Sequence, residues 1–260
     1  RHFDAWSRGV RDWRSANKAL RGRVGRAGAP DANDEYLIYQ TLVGLLAPET
    51  SVDGELEERL AAYVTKALRE AKRHTNWTSP NQAYEQATLD FLGGLLRKLR
   101  PGARDKSGFA RSFRELLRSI EPSVEADVIA EQVVRLAIPG VPDLYRGAEL
   151  LDLTLVDPDN RRPVDWEHRA RCLARVSAGV RSALSIVKSA GEATGRQAAP
   201  SRLRLPELSL EERKLAVIHL MLELRRRRPE LFRSGAYVPL SVSGADPETL
   251  VAFARHDGRD

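Results

Sequence analysis

Apolar residues recur every three or four positions through the first half of the chain, which is the spacing of a helix that buries one face. The clearest stripe predicts a helix that ends near His74 and carries charged residues on its opposite face. Its apolar members are Leu56, Leu60, Tyr63, Val64, Ala67 and Leu68. Similar stripes predict a first helix with its buried face between Phe3 and Leu20, a second over about 35–46, a fourth after Ser79, a fifth over about 109–120 and a sixth after Ser123.

Local residue types mark where these helices begin and end. Ser79 is predicted to cap the fourth helix, with Pro80 at its first position and Gln82 completing a capping box. The segment from Gly22 to Asp34 is rich in glycine and proline, so we interpret it as a loop. Pro48 is predicted to end the second helix.

The periodicity changes after residue 137. Residues 138–147 read IPGVPDLYRG, and their two prolines and two glycines exclude a helix and favour a short extended segment. A helix is predicted over about 166–187, followed by a surface loop over 189–206.

A final helix and two strands are predicted beyond this loop. Ser209 and Glu212 form a capping box that opens a helix, and the helix ends in four arginines before Pro229. The short apolar runs 237–242 and 250–254 predict two β-strands.

The composition is that of a globular protein. Hydrophobic residues make up 42% of the chain and charged residues 30%, which argues against disorder. The net charge is +6, but acidic and basic residues are interleaved, which indicates solvated helix surfaces rather than a nucleic-acid interface. The longest apolar candidate, 36–47, is shorter than the roughly 18 residues of a membrane helix. We therefore predict no nucleic-acid partner and no membrane span.

Cys172 is the only cysteine, so no internal disulfide can form. Because the start of the sequence also carries no secretory signal, we predict a cytoplasmic protein. We interpret Cys172 as a core or surface thiol rather than a nucleophile. The five histidines show no H-x-x-x-H spacing, and no phosphate-binding loop or G-x-S-x-G elbow is present. The sequence thus predicts no metal and no cofactor.

The charged block, residues 139–165 (PGVPDLYRGAELLDLTLVDPDNRRPVD), is the segment that folding alone explains least well. Carboxylates, Asn and Arg can each contact two neighbouring hydroxyl groups, and aromatic rings can cover a sugar face. A polar ligand rich in hydroxyls fits this pattern. A structural salt-bridge network at the end of a barrel fits it equally well.

Three stretches together resemble a known family. They are DEYLIYQTLVG (34–44), TNWTSPNQAYE (75–85) and the charged block, and they occur in the same order in maltooligosyltrehalose synthases of the α-amylase superfamily. The stretches 224–240 and 250–255 resemble the ending of that family. In the charged block this chain departs from the family pattern at Arg146, where Gln is expected, and at Leu151, where Trp is expected.

The resemblance implies a mainly α chain that forms the C-terminal part of a (β/α)8 barrel. Residues 1–120 would be a large helical insertion, and residues 121–230 the end of the barrel, with IPGVPDLYRG as strand eight. Residues 231–260 would start a C-terminal antiparallel β domain that is truncated here.

The resemblance also implies an activity and a site. The family converts the reducing-end α-1,4 linkage of maltooligosaccharides to α,α-1,1 by intramolecular transglycosylation, with a carboxylate nucleophile and a second carboxyl as acid and base. Those carboxyls would lie upstream of Arg1, so we expect no catalytic residue in this chain and no activity from it alone. The implied substrate-binding residues are Asp143, Tyr145, Glu149, Asn160, Arg161, Arg162, Trp77, Asn81 and Tyr84.

Two alternatives stay open at this point. The parent enzyme could be an α-amylase-type hydrolase or another transglycosylase of the superfamily. The chain could also be a helical interaction module whose arginine-rich surface binds an acidic partner.

Overall fold

The computed structural model describes residues 2–194, 208–244 and 250–258. The chain is mainly helical, as predicted. Its helices are α1 Phe3–Ala16, α2 Ala32–Leu45, α3 Gly54–Ala71, α4 Gln82–Leu99, α5 Phe109–Ala137, α6 Trp166–Thr194, α7 Leu210–Arg227 and α8 Pro229–Arg233. Its strands are β1 Gly22–Val24, β2 Ala27–Ala29, β3 Ala236–Pro239 and β4 Phe253–His256. Among the described residues, no helix combines the length and the apolar character needed to cross a membrane.

The chain divides into two compact units. Unit 1 contains the residues up to Ser123 together with Leu153–Arg162. Unit 2 contains Val124–Asp152 and the residues from Pro163 onward. The charged block is therefore shared between the two units, with 153–162 in unit 1 and the rest in unit 2.

An aromatic cluster forms the centre of unit 1. Trp13 is 1% exposed and lies 5.3–5.9 Å, between ring centroids, from four other aromatic rings, on α1, α2 and α5. The predicted stripes of α3 and α4 pack into the same core, which confirms their buried faces. The buried members of these stripes are Leu56, Leu60, Val64, Leu68, Tyr84, Phe91, Leu92, Leu95 and Leu99.

Two local predictions in unit 1 are wrong. The predicted loop 22–34 instead forms the antiparallel hairpin β1–β2, which turns at Gly25 with φ +61°, followed by the first residues of α2. The cap of α4 is Asn81, whose side chain accepts a hydrogen bond from the Tyr84 N–H, and not Ser79. The Ser79 N–H instead donates to Asn76 Oδ1 in the preceding turn.

The predicted fifth and sixth helices are one helix. α5 runs through Pro122, although a proline inside a helix removes a backbone hydrogen bond. Burial of Phe113 before the proline and of Leu136 after it sustains the helix, because packing of an apolar face outweighs local propensity.

Unit 2 is built on α6 and α7. Their apolar faces pack in a cluster that contains Leu150, Cys172, Val176, Val180, Leu215 and Ala216. The capping box of Ser209 and Glu212 is present at the start of α7, as predicted. α6 continues to Thr194, so the predicted loop 189–206 is wrong at its beginning, and its remainder lies outside the described residues.

Residues 138–140 form a bend, 141–145 have no regular secondary structure and 146–147 lie in a turn, so the segment is not paired as a strand in the described part of the chain. Val141 is 96% exposed. A strand needs a neighbour to satisfy its backbone groups, and the two prolines lack the N–H groups that a sheet interior requires. Assignment of this segment to barrel strand eight therefore stays a prediction.

The two strands predicted near the end of the chain are present with shifted bounds. β3 and β4 pair antiparallel from Ala236 opposite His256 to Pro239 opposite Phe253. The Tyr237 and Phe253 rings lie 5.0 Å apart between centroids, on one face of the hairpin. The structure therefore supports a local β-hairpin here, while a larger β domain stays a prediction.

Candidate functional site

The unit 2 part of the charged block is a tight turn held by Arg169. The Ala148 N–H donates to the Tyr145 carbonyl, and Gly147 is buried with φ +86°, where a Cβ would meet Val164 at 3.1 Å. The Arg169 guanidinium donates to the Gly147 carbonyl at 2.6 Å and pairs with Glu149 at 3.7 Å. Glu149 is thus part of the clamp that fixes this turn.

Two predicted sugar contacts lie on the surface of this turn. Asp143 is exposed, and Tyr145 is 56% exposed. Trp166, at the start of α6, is also exposed, and the Arg169 guanidinium lies 6.0 Å from its ring centroid. Unit 2 therefore presents exposed aromatic rings beside a fixed, charged turn.

The unit 1 part of the block is anchored by Arg59 of α3. Its guanidinium donates two hydrogen bonds of 2.9 Å to the Asp159 carboxylate and a third to the Leu153 carbonyl. Burial opposes ionisation of Asp159, but hydrogen bonds from Arg59 and the Leu155 N–H hold its pKa below the usual range. The carboxylate is thus charged and fixed at neutral pH.

The remaining charges of residues 153–162 are also paired. Lys66 donates to the Asp157 carbonyl, Arg161 pairs with Asp157, and Arg162 pairs with Glu55. This arrangement agrees with the salt-bridge interpretation of the block.

Asn160 differs from its neighbours. Its Oδ1 is buried and accepts no hydrogen bond within the described residues. Buried amide oxygens are usually satisfied, so this atom is available to a donor from a ligand or water.

A cleft of about 240 Å³ lies beside the Arg59–Asp159 pair in unit 1. Its walls are formed by Leu45, Thr50, Ser51, Asp53, Glu55, Leu56, Arg59 and Leu153. It is smaller than the roughly 300–1,000 Å³ of common small-molecule pockets. In this structure it can admit part of a polar ligand, such as a single ring.

The segment before α4 separates into one surface residue and two structural ones. Trp77 is 55% exposed, and the Arg69 guanidinium lies 4.9 Å from its ring centroid. Asn81 is used as the cap of α4. Tyr84 is 3% exposed, and its hydroxyl donates to Asp34 at 2.5 Å. Only Trp77 of these three presents an open face to a ligand.

Arg69 is fixed beneath Trp77 by a buried carboxylate. It donates two hydrogen bonds to Glu85, of 2.8 and 2.7 Å, and the Thr75 hydroxyl donates a third at 2.6 Å. The bonds from Arg69 lower the pKa of Glu85, although burial opposes this. The Trp77 ring therefore packs against a guanidinium that is held in place by its ion pair with Glu85.

The arginine run at the end of α7 is occupied within unit 2. Arg225 donates to the Leu136 and Gly140 carbonyls, Arg226 and Arg227 bind Glu223, and Arg228 pairs with Asp257. The Arg226 and Arg227 hydrogen bonds lower the pKa of Glu223 to about 2. This internal pairing weakens the proposal of an acidic partner.

Sequence reasoning missed the residues that hold these segments in place, namely Arg59, Lys66, Arg69 and Arg169. It also missed two groups of possible cation ligands, Asp31–Asp34–His74 in unit 1 and His168–Cys172–Glu211 in unit 2. The H-x-x-x-C spacing of His168 and Cys172 was a usable signal, because positions i and i+4 share one helix face.

Removal of the Arg59 anchor gives a direct test of this geometry. In Arg59→Ala we expect faster amide hydrogen exchange over residues 153–162, and at the Leu155 N–H above all, because Asp159 loses two of its donors. Glu58→Ala, an exposed neighbour on α3, is the matched control. Unchanged protection of Leu155 in Arg59→Ala would contradict the anchoring role.

No family model matches the chain. The chain is similar to part of much larger synthases, and it spans about a quarter of the length of the curated relatives it matches.

These synthases are maltooligosyl trehalose synthases. Two curated proteins of Mycobacterium tuberculosis, from strains CDC 1551 and H37Rv, carry that name as a provisional assignment and are 34% identical over 231 residues, 89% of this chain and 25% of theirs. This chain is also similar to the crystal structure of a maltooligosyl trehalose synthase. The aligned region makes up 97% of this chain and 29% of that protein, with a TM-score of 0.69 and 25% identity. In the comparison with the Arthrobacter ramosus enzyme, the aligned region makes up 94% of this chain and 27% of that enzyme, with a TM-score of 0.65 and 29% identity. The resemblance predicted from the sequence is confirmed, and neither alternative function is favoured.

Proposed function

We propose that this chain is part of an enzyme that converts the reducing-end α-1,4 linkage of maltooligosaccharides to an α,α-1,1 linkage. The observation that carries the proposal is the 34% identity over 89% of the chain to proteins named for this synthesis. Structural similarity to the Arthrobacter ramosus enzyme over 94% of the chain supports the same assignment.

The chain's place in that enzyme follows the same resemblance. Residues 1–120 are proposed as a helical insertion, 121–230 as the end of a (β/α)8 barrel, and 231–260 as the beginning of a β domain. The boundary between the compact units at Ser123 lies close to the first of these divisions, and the β3–β4 hairpin lies in the third. Cytoplasmic location stays a prediction from cysteine usage.

The proposed chemistry separates bond exchange from substrate holding. A retaining exchange needs a carboxylate nucleophile and a second carboxyl that serves as acid and then base, and we assign both to a part of the enzyme outside this chain. The released glucose must be held while water is excluded, because water would give hydrolysis instead. This chain would supply part of that enclosure.

Three exposed members of the predicted site and one buried atom without a hydrogen-bond partner suit direct contact with sugar. Trp77 and Tyr145 offer aromatic faces, Asp143 offers a carboxylate, and Asn160 offers an amide oxygen. Glu149 and Arg162 are held in ion pairs and are better suited to fixing the turns. Asn81 and Tyr84 would act by positioning the Trp77 segment.

The test is a chimaera in which this chain replaces the matching quarter of the Arthrobacter ramosus enzyme. With maltopentaose we expect a non-reducing product whose α,α-1,1 linkage is identified by NMR, and loss of reducing ends. The Arthrobacter enzyme lacking that quarter is the control. Shortened reducing oligosaccharides would favour the hydrolase alternative, and a folded chimaera without either product would contradict the proposal.

The 260-residue chain alone is expected to leave maltopentaose unchanged, because the proposed nucleophile and acid lie outside it. The measurement is a reducing-end assay with chromatography of the products. Any non-reducing product formed by this chain would show that the catalytic carboxyls had been assigned to the wrong segment.

A further inference from the structure

Three different ligand types meet between α6 and α7 in unit 2. His168 and Cys172 lie one turn apart on α6, and Glu211 lies in the first turn of α7. His168 Nε2 is 3.2 Å from Glu211 Oε1 and 3.7 Å from Cys172 Sγ. One ligand atom from each residue lies within 4.8 Å of the other two.

The nitrogen–oxygen and sulfur–nitrogen separations match those around a small tetrahedral cation. With bonds of about 2.3 Å to sulfur and about 2.0–2.1 Å to nitrogen and oxygen, tetrahedral geometry sets sulfur and nitrogen about 3.6 Å apart and nitrogen and oxygen about 3.3 Å apart. We propose that His168, Cys172 and Glu211 bind one zinc-type divalent cation, with water in the fourth position. Thiolate, imidazole and carboxylate are the donors that Zn²⁺ uses in proteins.

The second candidate group, Asp31–Asp34–His74, provides a contrast. Its carboxylates already accept hydrogen bonds from the Arg73 guanidinium at 3.0 Å, from the Tyr84 hydroxyl at 2.5 Å and from the first N–H groups of α2. A cation there would have to displace a positive charge and several donors. Among the contacts between His168, Cys172 and Glu211 given above, the one that a cation bound at Glu211 would replace is the hydrogen bond between Glu211 and His168.

The charges and protons balance for one ion. Cys172 is a buried free cysteine, and a cysteine without a metal is an S–H group at neutral pH. Zn²⁺ forms a bond to sulfur as the S–H bond breaks, and the proton passes to the buffer. The resulting thiolate and the Glu211 carboxylate together balance the two charges of the ion, which favours a half-buried site.

Binding of the ion is expected to stabilise unit 2. The ion would link α6 to α7 beside the cluster of Val176 and Leu215, and would stabilise unit 2 as its concentration rises above the dissociation constant. This inference does not depend on the proposed catalytic function.

The test titrates the metal-free 260-residue chain with Co²⁺, followed by displacement with Zn²⁺ in a calorimeter. We expect one equivalent of bound ion, a thiolate-to-cobalt charge-transfer band and one proton released per ion. His168→Gln and Glu211→Gln should each weaken binding at least about tenfold, as perturbation of metal-site ligation commonly does. Cys172→Ser should abolish the charge-transfer band.

His219→Gln on α7 and Glu167→Gln on α6 are the matched controls and should bind as the parent does. Glu211 is half-buried, so Glu211→Gln remains informative even where a change at the buried Cys172 impairs folding. Absence of one-equivalent binding would overturn the proposal. Equal affinity in the parent, His168→Gln and Glu211→Gln would overturn it too, because the ion would then bind elsewhere.

Discussion

Trp13→Ala is expected to lower the free energy of unfolding of unit 1 by about 3–5 kcal/mol, the usual cost of truncating a buried aromatic residue. Trp13 is 1% exposed and contacts the rings of Trp6, Tyr39, Phe109 and Phe113. The substitution leaves a cavity among α1, α2 and α5 and leaves the Ser112 hydroxyl without its indole donor. No other single change in the aromatic cluster removes contacts with so many rings.

The measurement is urea unfolding followed by far-ultraviolet circular dichroism, with hydrogen exchange to localise the change to unit 1. Phe3→Ala is the matched control because Phe3 lies on the same helix and is 77% exposed. We expect Phe3→Ala to stay within about 0.5 kcal/mol of the parent, as exposed substitutions usually do. Equal unfolding free energies for the two variants would contradict the central role of Trp13.

The buried faces could be predicted from the sequence because burial acts on each helix separately. Leu56, Leu60 and Val64 were placed on an apolar face by spacing alone, and all three are buried. The first predicted face is wrong at its beginning, because Phe3 is 77% exposed. Helix ends depend on finer competition between neighbouring residues. At α4 two residues could serve as a cap, and Asn81 does so while Ser79 bonds back to Asn76.

Contacts between distant segments left no such signal. Arg59 and Asp159 are 100 positions apart, and His168 and Glu211 are 43 apart, so no periodicity joins them. The sequence indicated that the charged block was unusual and left open whether its charges bind sugar or one another. The structure pairs Asp159, Arg161 and Arg162 internally and leaves Asp143 and Tyr145 exposed. The salt-bridge interpretation therefore agrees with the pairing of residues 153–162, whereas sugar binding stays a prediction for Asp143 and Tyr145.

Glu85→Gln is expected to lower the stability of unit 1 at neutral pH by about 2 kcal/mol, within the range for hydrogen bonds to a charged group. Glu85 is 6% exposed and accepts two hydrogen bonds from Arg69 and one from Thr75. The glutamine keeps the shape of the side chain but removes the charge and one acceptor atom. Glu58→Gln on α3 is the matched control, because Glu58 is exposed.

The pH dependence separates loss of this charge from a general loss of packing. The hydrogen bonds from Arg69 lower the pKa of Glu85 in the folded state, so its contribution is complete above the unfolded value of about 4.3 and disappears as the pH falls through the folded value. Unfolding of the parent takes up a proton at Glu85 in acid, and unfolding of Glu85→Gln does not. The free energy of unfolding of the variant therefore falls less steeply with decreasing pH, by up to about 1.4 kcal/mol per pH unit. The stability curves of the parent and Glu85→Gln should therefore converge as the pH falls below about 4, whereas Glu58→Gln should follow the parent throughout.

Three other carboxylates also lose stabilising contacts in acid. Hydrogen bonds lower the pKa of Asp31, Asp105 and Asp159, although burial acts in the opposite direction. The stability of Glu85→Gln should therefore still fall in acid, but less steeply than that of the parent. Parallel curves for the parent and Glu85→Gln would mean that the substitution acts through shape and not through charge.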